Sequence, residues 1–121
     1  MSMTYTCVME KNLDDKWILQ MKKGVYELAI LLLINKQDMY GYEINKALNN
    51  IQSFRLAEGS IYPILKRLVN KNWIVSYAVE SEEGPTRKYY KMTEEGLKVA
   101  KKRTEEYQAL FNTVNQLKGE L

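Results

Sequence analysis

The ten residues from Gly59 to Leu68, Gly-Ser-Ile-Tyr-Pro-Ile-Leu-Lys-Arg-Leu, constrain this chain more than any other stretch. Ile61, Ile64, Leu65 and Leu68 recur at i, i+3, i+4 and i+7, the spacing of a helix that buries one face. Ser60, Tyr62, Pro63, Lys66 and Arg67 are left on the other face. Hydroxyls, an aromatic ring and two adjacent cations suit contact with phosphates and base edges when a helix lies in a DNA groove. A recognition helix is therefore expected within Leu56 to Asn72. Pro63 limits where it starts, because proline lacks a donor and costs about 3 kcal/mol in a helix interior, whereas first-turn N–H groups have no helical partner to lose. Local chemistry puts the N-cap at Ser60, whose hydroxyl can accept from the N2 or N3 amide. A start at Ala57 or Glu58 would instead make Pro63 a kink.

A chain of 121 residues fits one domain. The longest apolar run, Leu28 to Ile34, is too short to span a bilayer, and Met1 to Asn12 lacks the apolar core of a signal peptide, so a cytoplasmic location is expected. With no His and one Cys, Cys7, an intramolecular disulfide, a Cys/His zinc site and the usual nucleophile–base pairs are unavailable. No enzyme, metal or cofactor is expected, and Cys7 reads as inert. The net charge of +3 is too small to argue nucleic-acid binding in bulk, so the case must rest on where charges cluster.

Met1 to Lys11 shows no period and reads as a flexible arm. Asn12, followed by Asp14 and Asp15, signals a helix start; Trp17, Ile18 and Met21 give it an apolar side, and Gly24 weakens or bends it. Val25 to Ile34 continues as an all-round apolar helix expected at the centre of the domain. Asn35 to Met39 reads as a turn. A second helix follows from Gly41 to Asn49, with Ile44, Ala47, Leu48 and Ile51 inward, and the recognition helix is third. Trp73 to Val79 and Thr86 to Met92 are strand-like runs around a charged turn from Glu80 to Pro85, which makes a wing. The order is that of a winged helix-turn-helix spanning 12–92, mainly α with a small β-hairpin.

Thr93 then caps a last helix, with Glu94 and Glu95 in its first turn. Running to about Lys118, it would be about 37 Å long. Leu97, Ala100, Thr104, Tyr107, Leu110, Phe111, Val114 and Leu117 form a stripe longer than a domain this small can cover. Residues 93–121 are therefore expected to form a homodimer seam.

These residues resemble the PadR family of bacterial transcriptional regulators. The matching stretches are Lys23-Gly24 leading into Glu27-Leu28, Tyr40-Gly41-Tyr42-Glu43-Ile44, Gly59 to Leu68, and Arg87-Lys88-Tyr89-Tyr90-Lys91-Met92-Thr93-Glu94-Glu95-Gly96, covering about 22 to 96. The resemblance implies a dimeric winged-helix repressor with a C-terminal dimerisation helix, of the compact branch that holds flat aromatic compounds between protomers. Where that branch carries a Trp, this chain has Tyr107.

The expected DNA contacts are Tyr42, Ser60, Tyr62, Pro63, Lys66, Arg67, Arg87, Lys88 and Tyr89. Strand alternation puts Tyr89 and Tyr90 on opposite faces, one of them in the core. Tyr40 and Tyr42 serve equally well as packing at a helix entry or as one phosphate contact. Trp17, Glu27, Leu28, Tyr107 and Phe111 are the candidates for a small planar aromatic effector, Glu27 favouring a cationic one; the plainer reading makes the aromatics dimer core. The expected partners are double-stranded operator DNA and a second copy of the chain. The competing reading, suggested by the low net charge and by Glu80, Glu82 and Glu83 at the wing tip, is a winged-helix protein-interaction module that dimerises without binding DNA.

Overall fold

The computed structural model describes residues 11–57 and 59–121, with side chains from residue 16 onward. The expected arm, apart from Lys11, together with Cys7 and Glu58, lies outside the described residues. The described order is α1 (Lys11–Lys36), β1 (Met39–Tyr40), α2 (Gly41–Asn49), a 3-10 turn (Gln52–Phe54), α3 (Ile61–Asn70), β2 (Ile74–Ser81), β3 (Gly84–Met92) and α4 (Glu94–Lys118). This is a winged helix-turn-helix with a long C-terminal helix. None of the described helices is long and apolar enough to cross a membrane.

Helix α3 begins where Pro63 allows. Its first helical residue is Ile61, so Pro63 is third and sacrifices no helical hydrogen bond. Ser60 occupies the cap position but has helical backbone angles and makes no side-chain cap bond, contrary to expectation. The entry is made by backbone instead: Gly59 has φ +85, its carbonyl accepts from Tyr62 N–H at 3.3 Å, and Ser60 N–H donates to the Ala57 carbonyl at 3.0 Å. At the other end Asn72 adopts φ 62, Asn72 N–H donates to Val69 O at 2.9 Å and Trp73 N–H to Leu68 O at 3.1 Å. These paired bonds form a Schellman C-cap, with Asn in the left-handed position that glycine usually takes.

Ile61, Ile64, Leu65 and Leu68 of α3 are buried among Ile30, Leu31 and Ile34 of α1, Ile44 and Leu48 of α2, and Ile74 and Tyr90 of the sheet. Helix α1 runs unbroken through Gly24, and Asn12, expected as its cap, lies within it. The run from Val25 to Ile34 is central but not buried all round: Leu32 is 42% exposed and Ala29 and Leu33 are half-buried. Ile51, expected inward, is 46% exposed because α2 has already ended.

The wing is also more than a hairpin. The residues after α1, expected to form only a turn, include β1, which pairs antiparallel with β3 and gives a three-stranded sheet of order β1-β3-β2. Tyr90 is buried and Tyr89 half-exposed, as alternation requires. Only Glu82 and Glu83 separate the two long strands.

Helix α4 starts at a crowded junction with the end of α3. Thr93 N–H donates to Trp73 O at 3.1 Å, the Thr93 hydroxyl lies 2.8 Å from Asn72 O and 3.0 Å from Trp73 O, and Thr93 Oγ1 accepts from Gly96 N–H at 2.9 Å. A side chain on Gly96 would overlap the Trp73 carbonyl and come within 2.8 Å of Met92 Sδ. Gly96→Ala is therefore expected to destabilise the protein by about 3 kcal/mol, the upper end of usual overpacking penalties, as read by urea unfolding. A loss below about 0.5 kcal/mol would contradict this packing.

Candidate nucleic-acid interface

The turn between α2 and α3 is pinned at three points. Asn49 donates through Nδ2 to Asn45 Oδ1, and Asn49 Oδ1 accepts from Leu56 N–H at 2.9 Å. Tyr26 of α1 donates its hydroxyl to Arg55 O at 3.3 Å and meets Phe54 edge-on, with ring centroids 5.6 Å apart. At the start of α2, Tyr40 N–H donates to Glu43 Oε1 at 3.1 Å, half of a capping box. The two helices are thereby held in one relation to each other.

They meet closely at Gly41. A Cβ there would stand 2.8 Å from Tyr62 Cε1, so the Tyr62 ring lies directly over the first residue of α2. Tyr62 remains half-exposed. With Tyr42, Asn45, Lys46, Asn49, Leu56 and Gly59 it lines an open recess of about 600 Å³. Hydroxyls, side-chain amides and Lys46 converge there, a donor set suited to phosphate and base edges. Pro63, Lys66 and Arg67 are exposed along the same helix, and Ser60 is half-buried at its start.

A second part of the surface crosses the sheet. Tyr40, Tyr89 and Tyr77 are register partners on three adjacent strands. Their ring centroids are 5.3 Å apart for Tyr40 and Tyr89 and 5.8 Å for Tyr89 and Tyr77, while Tyr42 stacks on Tyr40 at 6.2 Å. The Arg87 guanidinium sits 4.7 Å over the Tyr40 ring, so this cation is held above the ladder at the base of the wing. Lys88 points to the other face, 6.0 Å from the Tyr90 ring. The structure thus gathers Tyr42, Tyr89 and Arg87 on one aromatic surface and separates Lys88 from them. Tyr40, Tyr77, Asn45, Lys46 and Asn49 belong to these surfaces but were not singled out as DNA contacts by sequence; the Tyr40–Tyr89 pairing that reveals the ladder depends on a strand of only two residues.

Arg67 is only partly available. Its Nε lies 3.5 Å from Oε2 of Glu27, which also receives Lys71 Nζ at 3.4 Å, while Arg103 NH1 reaches Oε1 at 3.0 Å. Burial alone would raise the Glu27 pKa, but the bonds and charges of Arg103 and Lys71 outweigh it and hold the carboxyl below its ordinary value. Glu27 is thus already matched by three cations, which corrects its expected role in attracting a cationic ligand.

The candidate effector residues are partly assembled. Glu27, Leu28 and Tyr107 line a shallow, mainly apolar recess of about 340 Å³ between α1 and α4, with Gly24, Val25, Arg103, Glu106 and Leu110. Trp17 and Phe111 are exposed and do not line it. Of the expected dimer stripe, Ala100 is 2% exposed and lies in the core of its own chain, which removes it from the outer seam. Thr104 and Leu97 are half-buried, the Thr104 hydroxyl donating to Ala100 O at 2.7 Å. Tyr107, Leu110, Phe111, Val114 and Leu117 are exposed on α4. Among the described residues no group of three or more His, Cys, Asp or Glu is placed to hold a metal ion.

Residues 30–102 match the model of the Transcriptional regulator PadR-like family. A PadR-like transcriptional regulator from Bacillus cereus has a solved structure 37% identical in sequence, with a TM-score of 0.75 over 84% of this chain and 99% of that one. A PadR family transcription regulator from Clostridium difficile is 36% identical, with a TM-score of 0.71 over 78% of this chain and 98% of the other. An uncharacterized protein of Lysinibacillus sphaericus is 37% identical over 76 residues, which are 61% of this chain and 70% of that protein.

The hydrogen bond from Tyr77 to Asp38 Oδ2, at 2.6 Å, tethers the outer strand of the wing to the turn after α1. That bond is the main reason the Tyr77 hydroxyl is pushed up to about 12, since ionising it would place an anion against the carboxylate. In an NMR pH titration Tyr77 should keep its proton to about pH 12, and Asp38→Asn should return it toward 10. A Tyr77 titration indifferent to that substitution would show that the tether is not formed.

Proposed function

The chain belongs to the PadR-like family of transcriptional regulators, and we propose that it acts as a homodimeric, sequence-specific DNA-binding repressor. The observation that carries this reading is the division of α3 into a face buried by four aliphatic side chains and an exposed face bearing Tyr62, Pro63, Lys66 and Arg67. A helix anchored in this way can enter a major groove without disturbing the core that holds it. Ser60, Tyr62 and Tyr42 at its leading end contact base edges and neighbouring phosphates, while Lys66 supplies a phosphate contact and Arg67, drawn toward Glu27, stands back from the backbone. Arg87 and Tyr89 reach the backbone from the base of the wing, with Lys88 on the reverse face adding longer-range attraction. The acidic pair Glu82 and Glu83 at the tip repels phosphate, so contact falls at the base.

The dimer in this reading forms along α4 and the start of α1. Tyr107, Leu110, Phe111, Val114 and Leu117 on one helix and Trp17 and Met21 on the other are large exposed apolar groups on consecutive turns, the composition of a protein interface more than of a solvated surface. A two-fold dimer presents two α3 helices to half-sites about 34 Å apart. The recess at Glu27, Leu28 and Tyr107 opens beside this seam and suits a small planar aromatic effector stacked on Tyr107. Such a molecule relieves repression by binding better to the dimer geometry that does not fit the operator. The acidic wing tip and modest net charge favour the competing reading, an interaction module that dimerises without DNA.

Fluorescence anisotropy against DNA upstream of the protein's own gene, with random duplex as control, separates the two. Lys66→Ala and Arg87→Ala are expected to weaken both duplexes alike and each lower the magnitude of the log K against log salt slope by about one unit, whereas Tyr62→Ala weakens the specific site more. Operator binding unaltered by Lys66→Ala and Arg87→Ala at every salt concentration would remove these cations from the interface.

Phe111→Asp combined with Val114→Asp places two charges in the proposed seam and should turn the dimer into monomer by light scattering. A dimer mass that survives both changes would assign the interface elsewhere.

A further inference from the structure

Glu27 is the buried charged side chain among the described residues, 7% exposed, and it joins three elements. From α1 its two oxygens receive Arg67 and Lys71 at the end of α3 and Arg103 on α4. Trp73, just past α3, completes the cluster: Lys71 Nζ lies 4.6 Å and Arg103 Cζ 4.7 Å from its ring, so the two cations that reach the carboxylate from different helices also share one aromatic side chain. Three cations against one carboxylate leave an excess of positive charge where α3 ends. Long cationic side chains on a surface helix otherwise sweep freely and pair with any phosphate. Here two of them are drawn toward the protein, and the third ties the same carboxylate to the helix proposed to form the dimer.

We propose that Glu27 is a positioning residue for DNA recognition, which holds Arg67 and Lys71 back from indiscriminate phosphate contact and sets the angle between the recognition helix and the dimerisation helix. The inference rests on the reading of α3 as the DNA-facing helix. Two consequences follow from the geometry. Withholding Arg67 and Lys71 lowers affinity for random DNA more than for an operator, because base contacts at the start of α3 fix the register of the operator complex with the end of the helix away from phosphate, whereas on random DNA any register that seats these cations is open. Joining α3 to α4 through Glu27 and Arg103 fixes how far apart the two recognition helices of a dimer stand, and hence which half-site spacing is accepted. A carboxylate that merely supported the fold would affect stability and leave both properties unchanged in the folded protein.

The test uses the full chain, an operator duplex selected from random DNA, random duplex, and operators with half-site spacing altered by one or two base pairs. Glu27→Gln keeps the shape of the side chain and removes its charge. It is expected to bind random duplex several-fold more tightly at low salt, to steepen the log K against log salt slope on random duplex by one to two units as Arg67 and Lys71 reach phosphates, and to lower the operator-to-random ratio by the same several-fold factor, operator affinity staying near the parent's. Arg103→Gln leaves both α3 cations on Glu27 and cuts the tie to α4. It is expected to keep the parent slope and to accept altered spacings that the parent rejects. A folded Glu27→Gln protein with the parent's slope and ratio would overturn the proposal. Should that variant fail to fold, Arg103→Gln decides alone, and an unchanged spacing preference overturns it. A parent chain that binds no duplex more tightly than random DNA would instead defeat the DNA reading itself.

Discussion

Everything that α3 presents to its surroundings depends on the four aliphatic side chains it hides. Ile61, Ile64, Leu65 and Leu68 reach into a core supplied by both preceding helices and by the sheet. Each such burial is worth about 1.5–3 kcal/mol, so losing even one approaches a large share of the net 5–15 kcal/mol typical of a domain. Because the anchor lies wholly on one side, the other side is free to carry residues chosen for a partner. Lys66 contributes little to holding the helix in place, whereas Tyr62 packs over Gly41 and Arg67 reaches Glu27, so both also serve the seating of the helix. The disposition of all three is inherited from the core.

The parts of the fold set by periodicity were legible in the sequence. The four-residue apolar spacing of α3, the position of Pro63, the capping Thr93 with its paired acids and the alternation around Tyr89 and Tyr90 each rest on local chemistry, and each matches the structure. Contacts between residues distant in sequence were not legible. The strand at Met39–Tyr40 is too short to have a period, and it exists because β3 offers it partners. Ser60 looks like a cap by composition, yet Gly59 turns the chain so that backbone groups serve the entry. Glu27 reads as one polar residue on an apolar helix, and nothing local indicates that Arg103, far along the chain, will meet it. Ala100 fits the outer stripe by spacing but lies where α4 still rests on its own domain.

The tyrosine ladder shows how a small sheet can be stiffened without a second layer. Three register partners lean on one another, Tyr42 extends the stack onto α2, and Arg87 closes it above Tyr40. Aromatic pairs of this kind contribute about 0.5–1.5 kcal/mol each beyond area burial. The ladder also ties the wing to the helix-turn-helix, so the two surfaces read as DNA-facing do not move independently. Asp38 extends that restraint to the turn leaving α1.

The junction at Thr93 and Gly96 makes α4 a lever. Its first turn is welded to Trp73 by backbone contact with no side chain between, so the helix has no soft joint at its root. Twenty-five residues of helix extend from that weld. A tilt of only about 5° at the root would carry the far end, about 37 Å away, through about 3 Å. Read in the other direction, a displacement of that size at the tip arrives at the end of α3 as a small torque. Leverage of this kind would convert a push on the exposed apolar end of α4 into an angular adjustment at the end of α3, and it requires no flexible segment along the way.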